Sequence, residues 1–300
     1  MAAIRLRDVG PRDGLQSEQP IAVAERAHLA ERLAVAGLSD VEAASFVSPR
    51  AVPAMAGGAE VMASLPRSGR TVWWALVPNA RGAELARAAG VDHLTVTVSA
   101  SEGYSLKNVG RTTDDAVASL ADIAAAAEGA AAIDVIVSCA FGSPFADVVD
   151  ASPTRAIVDR TLELMPGALI TLADTTGTAT PRRLAEVLAA LPDTARDDVG
   201  LHLHDTRGTA LANALAAIDE GVRRFDTAVG GLGGSPFAPG AGGNLATEDL
   251  VLVLDDLGLS TGVDLDALLS IANDLPSLVG HDVPSRVSAA GPLPRFGATS

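Results

Sequence analysis

Two histidines stand two residues apart in HLHDTRG (202–208), and a glycine-rich run, GGLGGSPFAPGAGGN (230–244), ends on an asparagine. In an extended segment alternate side chains share a face, so His202 and His204 point one way and Leu201 and Leu203 the other. Two neutral imidazoles, joined by the carboxylate of Asp13 and the amide oxygen of Asn244, make a mixed nitrogen and oxygen site for a divalent cation. That donor set suits Mg²⁺, Mn²⁺ or Co²⁺ better than a thiolate-bound structural zinc. A lone histidine on a strand reads more simply as a satisfied core group. The HxHD pattern at a strand end, beside loop carboxylates, favours the metal.

Arg12 precedes Asp13 in GPRDGLQ (10–16). It reads either as half of a local ion pair or as a permanent cation facing a developing oxyanion. Glu42 and Asp174 fall at other strand ends. They either orient a ligand and move protons or brace Arg12. The single lysine, Lys107, lies in SASEGYSLKN (99–108), read as a loop after the fourth strand. Schiff-base chemistry needs a desolvated amine at the reacting centre, so it is disfavoured. Lys107 is placed to meet substrate phosphates or is a solvated surface group. The glycine-rich run admits three readings: a phosphate cradle, a connector, or a hinged lid that excludes water. Its length, Pro236, Pro239 and the terminal Asn244 favour the lid. Asn244 is also expected to cap a helix over 245–258.

These residues need a scaffold that brings strand ends together. Short β-branched runs are expected as strands at 4–9, 37–44, 70–77, 93–99, 132–139, 168–174, 199–205 and 223–229. Alanine- and leucine-rich helical patterns separate them, for example at 22–37, 80–90 and 181–192, and the alanine-rich stretch 121–133 also reads as helix. Gly37, Gly90 and Gly221 follow helical patterns, as C-terminal caps do. Eight strand–helix units predict an α/β fold, a (β/α)8 TIM barrel, with a doubly wound sheet as the alternative. In a barrel, catalytic residues gather at the C-terminal ends of the strands, where these residues fall. A helical segment at 263–280 is expected outside the barrel, and 291–300 as an irregular tail of one domain spanning 1–300. Adjacent Trp73 and Trp74 are expected to face opposite sides of a strand.

The 300 residues carry a net charge of −15 and are 48% apolar. So acidic a surface repels nucleic acid and anionic membranes. No apolar run reaches the ~20 residues of a membrane helix, and the N-terminal MAAIRLRDVG lacks a secretory pattern. One cysteine, Cys139, precludes an intrachain disulfide and fits a reducing compartment, so the cytoplasm is expected.

VGPRDGLQSE (9–18), VEAASFVSPRAVPAM (41–55), HLHDTRGTALANALAA (202–217) and GGLGGSPFAPGAGGNLATEDLV (230–251) together resemble the hydroxymethylglutaryl-CoA lyases. These are metal-dependent TIM-barrel lyases related to isopropylmalate synthase. The resemblance runs from the first strand to the helix after the eighth. It implies Asp13, His202, His204 and Asn244 as ligands of Mg²⁺ or Mn²⁺, with His202 also serving catalysis. It implies Arg12 at the enolate of the departing acetyl-CoA, and Glu42 and Asp174 as acidic residues needed for activity. Gln16 and Lys107 are expected at the acyl-CoA. The implied reaction is retro-Claisen cleavage of 3-hydroxy-3-methylglutaryl-CoA or a related 3-hydroxyacyl-CoA to acetyl-CoA and a 3-oxo acid, in leucine catabolism. A homo-oligomer, dimer or higher, is expected. One position departs: the family loop reads GGCP with a catalytic cysteine, and this chain reads GGSP, with Ser235 in its place. A serine hydroxyl is a far weaker acid than a thiol. Three readings follow, in this order: a lyase on a related substrate, a slow hydroxymethylglutaryl-CoA lyase, and a condensing synthase or non-catalytic acyl-CoA- or metal-binding protein.

Overall fold

The computed structural model describes residues 3–128, 132–234 and 242–291. Eight parallel strands close a barrel in chain order: β1 (Arg5–Asp8), β2 (Asp40–Ser45), β3 (Val72–Leu76), β4 (His93–Ser99), β5 (Ala132–Ser138), β6 (Leu169–Asp174), β7 (Gly200–Leu203) and β8 (Arg224–Thr227). The outer helices are α1 (Val23–Val35), α2 (Gly58–Ser64), α3 (Ala80–Ala88), α4 (Glu102–Val109), α5 (Thr113–Ala118), α6 (Leu120–Ala126), α7 (Ser152–Leu164), α8 (Pro181–Ala190), α9 (Asp193–Arg196), α10 (Ala210–Asp219), α11 (Thr247–Asp256), α12 (Leu265–Val279) and α13 (Arg286–Ala290). The fold is a (β/α)8 TIM barrel with a helical C-terminal segment, and the doubly wound alternative falls. Gly37, Gly90 and Gly221 take positive φ at helix ends, where a Cβ would be strained. Among the described residues no helix is long and apolar enough to cross a membrane.

The strands are two-faced. Val96, Val98, Val135, Val137, Leu172, Leu201 and Leu203 face outward into one apolar cluster with the helices. Most of their inward neighbours, such as Thr95, Asp134, Ser138 and His202, are polar, where a TIM barrel ordinarily stacks branched apolar side chains; Ile136 and Ala173 are apolar. Arg7 donates to both oxygens of Asp226 at 2.8 and 2.9 Å and pairs with Asp134 Oδ2 at 2.9 Å. Its guanidinium lies over Trp74, 4.6 Å from the ring centroid, and the Trp74 indole donates to Asp40 at 2.7 Å. Trp73 faces outward and donates to the Pro66 carbonyl, so the two tryptophans do split between the faces.

Three sequence expectations need correction. Helix over 121–133 stops at Ala126 in α6, and Ala132 already pairs with His93 in the sheet; strand pairing overrides the alanine propensity. Lys107 lies not in a loop but in α4, whose N-terminus is capped by the Ser101 hydroxyl accepting from the Tyr104 N–H. Asn244 does not cap the helix after β8, because α11 begins at Thr247 after Ala246. Residues 292–300 of the expected tail lie outside the described residues.

Candidate metal centre

The mouth is built from backbone irregularities. After β1 the N–H groups of Arg12, Asp13 and Gly14 all donate to the Val9 carbonyl, at 3.1, 2.7 and 3.1 Å, forming a π-helical turn over Gly10–Gly14. Such turns are rare and occur frequently at functional sites. After β8 and a 3₁₀ turn (Val229–Gly231), the chain returns at 243–246 and zips between β7 and β8. Asp205 N–H donates to Gly243 O at 2.9 Å, Leu245 N–H to Leu203 O at 2.8 Å and Ala228 N–H to Leu245 O at 3.0 Å. This return places Asn244 beside His204. The glycines are needed for proximity. A Cβ on Gly243 would lie 1.6 Å from the Gly231 carbonyl oxygen, and one on Gly233 would lie 2.5 Å from Asn244 Nδ2. Ser235, Pro236 and Pro239 lie outside the described residues.

Asp13, His202 and His204 each offer one ligand atom, and the three atoms lie within 4.8 Å of one another. The two Nε2 atoms are 3.1 Å apart, and His202 Nε2 is 3.9 Å from Asp13 Oδ2. His202 Nδ1 faces Asp226 Oδ2 at 3.2 Å, which fixes the ring and leaves Nε2 for a ligand role. Asn244 Nδ2 donates to Asp13 Oδ2 at 2.9 Å and to Leu232 O at 2.8 Å, while its buried Oδ1 has no partner. Arg12 is buried. Its Nε donates to Glu42 Oε2 at 2.5 Å and its Nη1 to Asp13 Oδ1 at 2.7 Å. Glu42 also accepts from the Thr95 hydroxyl.

Charge follows from these contacts. Burial works against the Asp13 carboxylate, but Arg12, His202 and His204 outweigh it and hold the group well below the usual carboxylate range. Burial, and then the neighbouring His202, push His204 down to about 4, so it is a neutral lone-pair donor at pH 7. Burial also opposes charge on His202, yet the hydrogen bond its ring donates to Asp226 and the charge of Asp13 raise it.

The residues fit a divalent cation. Adjacent ligands on an octahedral ion with ~2.1 Å bonds stand about 3 Å apart, and the Nε2 pair stands at 3.1 Å. The orphaned Asn244 Oδ1 is a further neutral oxygen donor that the protein itself leaves unused. Desolvating an amide oxygen without a partner is costly unless a ligand takes it.

Of the residues singled out by sequence, the structure gathers Arg12, Asp13, Glu42, His202, His204 and Asn244. Asp174 stands apart. Its carboxylate accepts from the N–H groups of Thr178 at 2.7 Å and Ala179 at 3.1 Å, so it holds the β6–α8 turn and does not brace Arg12. Burial raises it to about 6. Gln16 is half-buried just past the π turn, and Lys107 is exposed on α4. Sequence reasoning missed Asp226, which orients His202, and Arg7 beneath it. The signal was present: in RRFDTAV, Arg224 and Asp226 alternate with Phe225, the strand pattern already used for HLH.

The HMGL-like family model matches residues 3–275. The chain is 41% identical to the (R)-citramalyl-CoA lyase of Chloroflexus aurantiacus, covering 98% of this chain and 96% of that protein. It is 41% identical to the hydroxymethylglutaryl-CoA lyase of Pseudomonas mevalonii, covering 97% of each. An HMG-CoA lyase from Acinetobacter baumannii, solved in complex with coenzyme A and 3-methylmalate, superposes with a TM-score of 0.90 at 39% identity, covering 98% of this chain and 97% of that one. A family match over most of the chain, with full-length relatives at this identity, places the protein: it belongs to the HMGL-like family.

Proposed function

We propose that this protein is a metal-dependent carbon–carbon lyase that cleaves a branched 3-hydroxyacyl-CoA bearing a carboxylate, with 3-hydroxy-3-methylglutaryl-CoA as first candidate and citramalyl-CoA as second. The observation that carries this reading is the Asp13–His202–His204 cluster with Arg12 hydrogen-bonded to its carboxylate in the barrel mouth. Asp13, His202, His204 and Asn244 would hold Mg²⁺ or Mn²⁺. When bound, that cation supplies Lewis acidity at the substrate hydroxyl. A base takes the hydroxyl proton, the C3–O bond becomes a carbonyl, and the C2–C3 electron pair passes into a thioester enolate. C2 then takes a proton to give acetyl-CoA.

Arg12 serves the enolate oxygen. Two of its donors are committed to Glu42 and Asp13, and Nη2 has no protein partner among the described residues. Glu42 is a positioning residue, fixing the guanidinium before charge develops. Asp174 is another, through the turn it holds. In the sequence Ser235 takes the position of the family cysteine, the proton donor, and Gln16 and Lys107 are assigned to binding the acyl-CoA.

The test is acetyl-CoA release from both thioesters with Mg²⁺, Mn²⁺ or chelator, for wild type and Ser235→Cys. Metal-dependent turnover by wild type supports the reading. Turnover only by Ser235→Cys leaves the pocket assignment intact and locates the defect in proton delivery. Turnover by neither overturns the reading.

A further inference from the structure

Beside His202 the inner barrel wall is made of small residues. Ala173 pairs with His202 across β6 and β7. Ser138 lies one residue past the Val137–Leu172 pair and so stands next to Ala173; on its other side it pairs with Ser99. Alternation sets the direction of these side chains: Val135 and Val137 are in the outer cluster, so Asp134, Ile136 and Ser138 face inward.

Two observations show that this wall borders open space. Thr97 sits mid-strand in β4, faces inward by the same alternation, and is nevertheless half-buried rather than buried. A residue with sheet neighbours on both sides can be reached there only from the barrel mouth. Leu76, the inward residue at the end of β3, is half-buried too. Ser138, in contrast, is only 6% exposed, and its hydroxyl makes no hydrogen bond among the described residues. A hydroxyl that opens on a cavity and has no side-chain or backbone partner of its own is available to donate to an acceptor bound there. Ser99 is not in that position, since its hydroxyl accepts from the Ser101 N–H at 3.1 Å.

We propose that Ser138 and Ala173 read the acyl end of the substrate: the Ser138 hydroxyl donates to its carboxylate, and the Ala173 methyl limits the size of the branch at C3. The inference rests on the lyase reading above and deepens it. A carboxylate held beside His202 keeps lone pairs directed at the adjacent wall, and Ser138 is the inward hydroxyl next to Ala173, the sheet neighbour of His202. A large C3 branch would have to displace Ala173, which sheet pairing fixes against the metal-side histidine. The substrate class is therefore a short-branched 3-hydroxy dicarboxylate monothioester.

The experiment compares wild type, Ser138→Ala, Ser138→Thr and Ala173→Val on 3-hydroxy-3-methylglutaryl-CoA and on its 3-ethyl homologue. In parallel, calorimetry measures binding of the free acid, 3-hydroxy-3-methylglutarate, to the Mg²⁺-loaded protein. Ser138→Ala is expected to raise KM about 10- to 100-fold, the range for a lost hydrogen bond to a charged group. It should weaken free-acid binding by the same factor and leave kcat nearly unchanged, and Ser138→Thr should restore binding in part. Ala173→Val is expected to lower kcat/KM for the ethyl substrate at least about tenfold more than for the methyl one. Unchanged KM and free-acid binding in Ser138→Ala, or an unchanged ethyl-to-methyl ratio in Ala173→Val, overturns the inference while wild-type turnover stands. If Ser138→Ala does not fold, Ser138→Cys, of similar volume and a weaker donor, is read by the same criteria. If neither wild type nor Ser235→Cys turns over these thioesters, the lyase reading falls and this inference with it; if only Ser235→Cys is active, the same substitutions are read in that background.

Discussion

The barrel interior holds two clusters of buried charge at different depths, and they are finished to different degrees. In the lower one, Arg7 meets Asp226 and Asp134, Trp74 lies against Arg7 and donates to Asp40, and Asp40 takes Arg5 at 2.7 and 2.6 Å. Nearly every donor and acceptor is used; Asp134 Oδ1 is the exception. In the upper one, two imidazole nitrogens face each other at 3.1 Å, and Asn244 Oδ1 and His204 Nδ1 are buried without partners. Paired charge is structural, since its desolvation is offset within the protein. Charge and lone pairs left unmatched mark the place where something else must bind. The difference predicts opposite behaviour under substitution.

Asp13→Asn should cut activity at least about a thousandfold, since it removes both the anionic ligand and the partner of Arg12. Its melting temperature without metal should stay within a few degrees of wild type, and a collapse in stability would erase the contrast between the clusters. Arg7→Met should do the reverse. It leaves Asp134 and Asp226 buried without their cation, and should cost about 3–5 kcal/mol of stability by chemical denaturation. A loss under 1 kcal/mol would show the lower cluster to be dispensable.

Glu248 gives a pH-dependent version of the same test. It lies behind the mouth and accepts from the Gly230 N–H at 3.0 and 3.2 Å, and burial raises it to about 7 from 4.5. Between those values the folded chain keeps the proton and the unfolded chain releases it. Stability from this group is therefore greatest below pH 4.5, falls as pH rises to 7, and is level above. Relative to wild type, Glu248→Gln should gain up to about 3 kcal/mol between pH 5 and pH 8. An equal difference at both pH values would show that Glu248 is not held protonated. The smallest effect is expected where the clusters meet. Asp226→Asn weakens the hold on His202, and should reduce Mn²⁺ affinity about 10- to 100-fold by titration; it also takes one of two counter-charges from Arg7, which keeps Asp134.

Much of this was legible beforehand because it rests on local pattern. Alternation in HLHD put both imidazoles on one face, the strand–helix alternation implied the barrel, and the barrel assigned the mouth. What escaped depends on contacts between distant strands. Asp226 looks like any strand carboxylate until β8 pairs with β7 and sets it beside His202. Asp174 was grouped with Arg12 because both sit at strand ends, yet its carboxylate is taken by backbone N–H groups four and five residues ahead. Asn244 was expected to cap a helix because asparagine suits that role, but the chain runs two residues further in extended form before α11 begins. Lys107 reads as a loop residue in the sequence, yet the Ser101 cap only two residues beyond the end of β4 starts α4 at once.

The Arg7–Asp226 pair joins residues 219 positions apart, on the first strand and the last. Arg7's other partner, Asp134, comes from the fifth strand. An N-terminal half-barrel cannot neutralise this arginine, because both counter-charges arrive from the second half of the barrel, on the fifth and eighth strands. An open half-barrel would therefore carry an unmatched cation on what should be its inner wall. Closure of the ring is the step that removes this penalty, so the fold has an electrostatic reason to form as one unit. Fragments that split the barrel between β4 and β5 should need each other before either becomes compact.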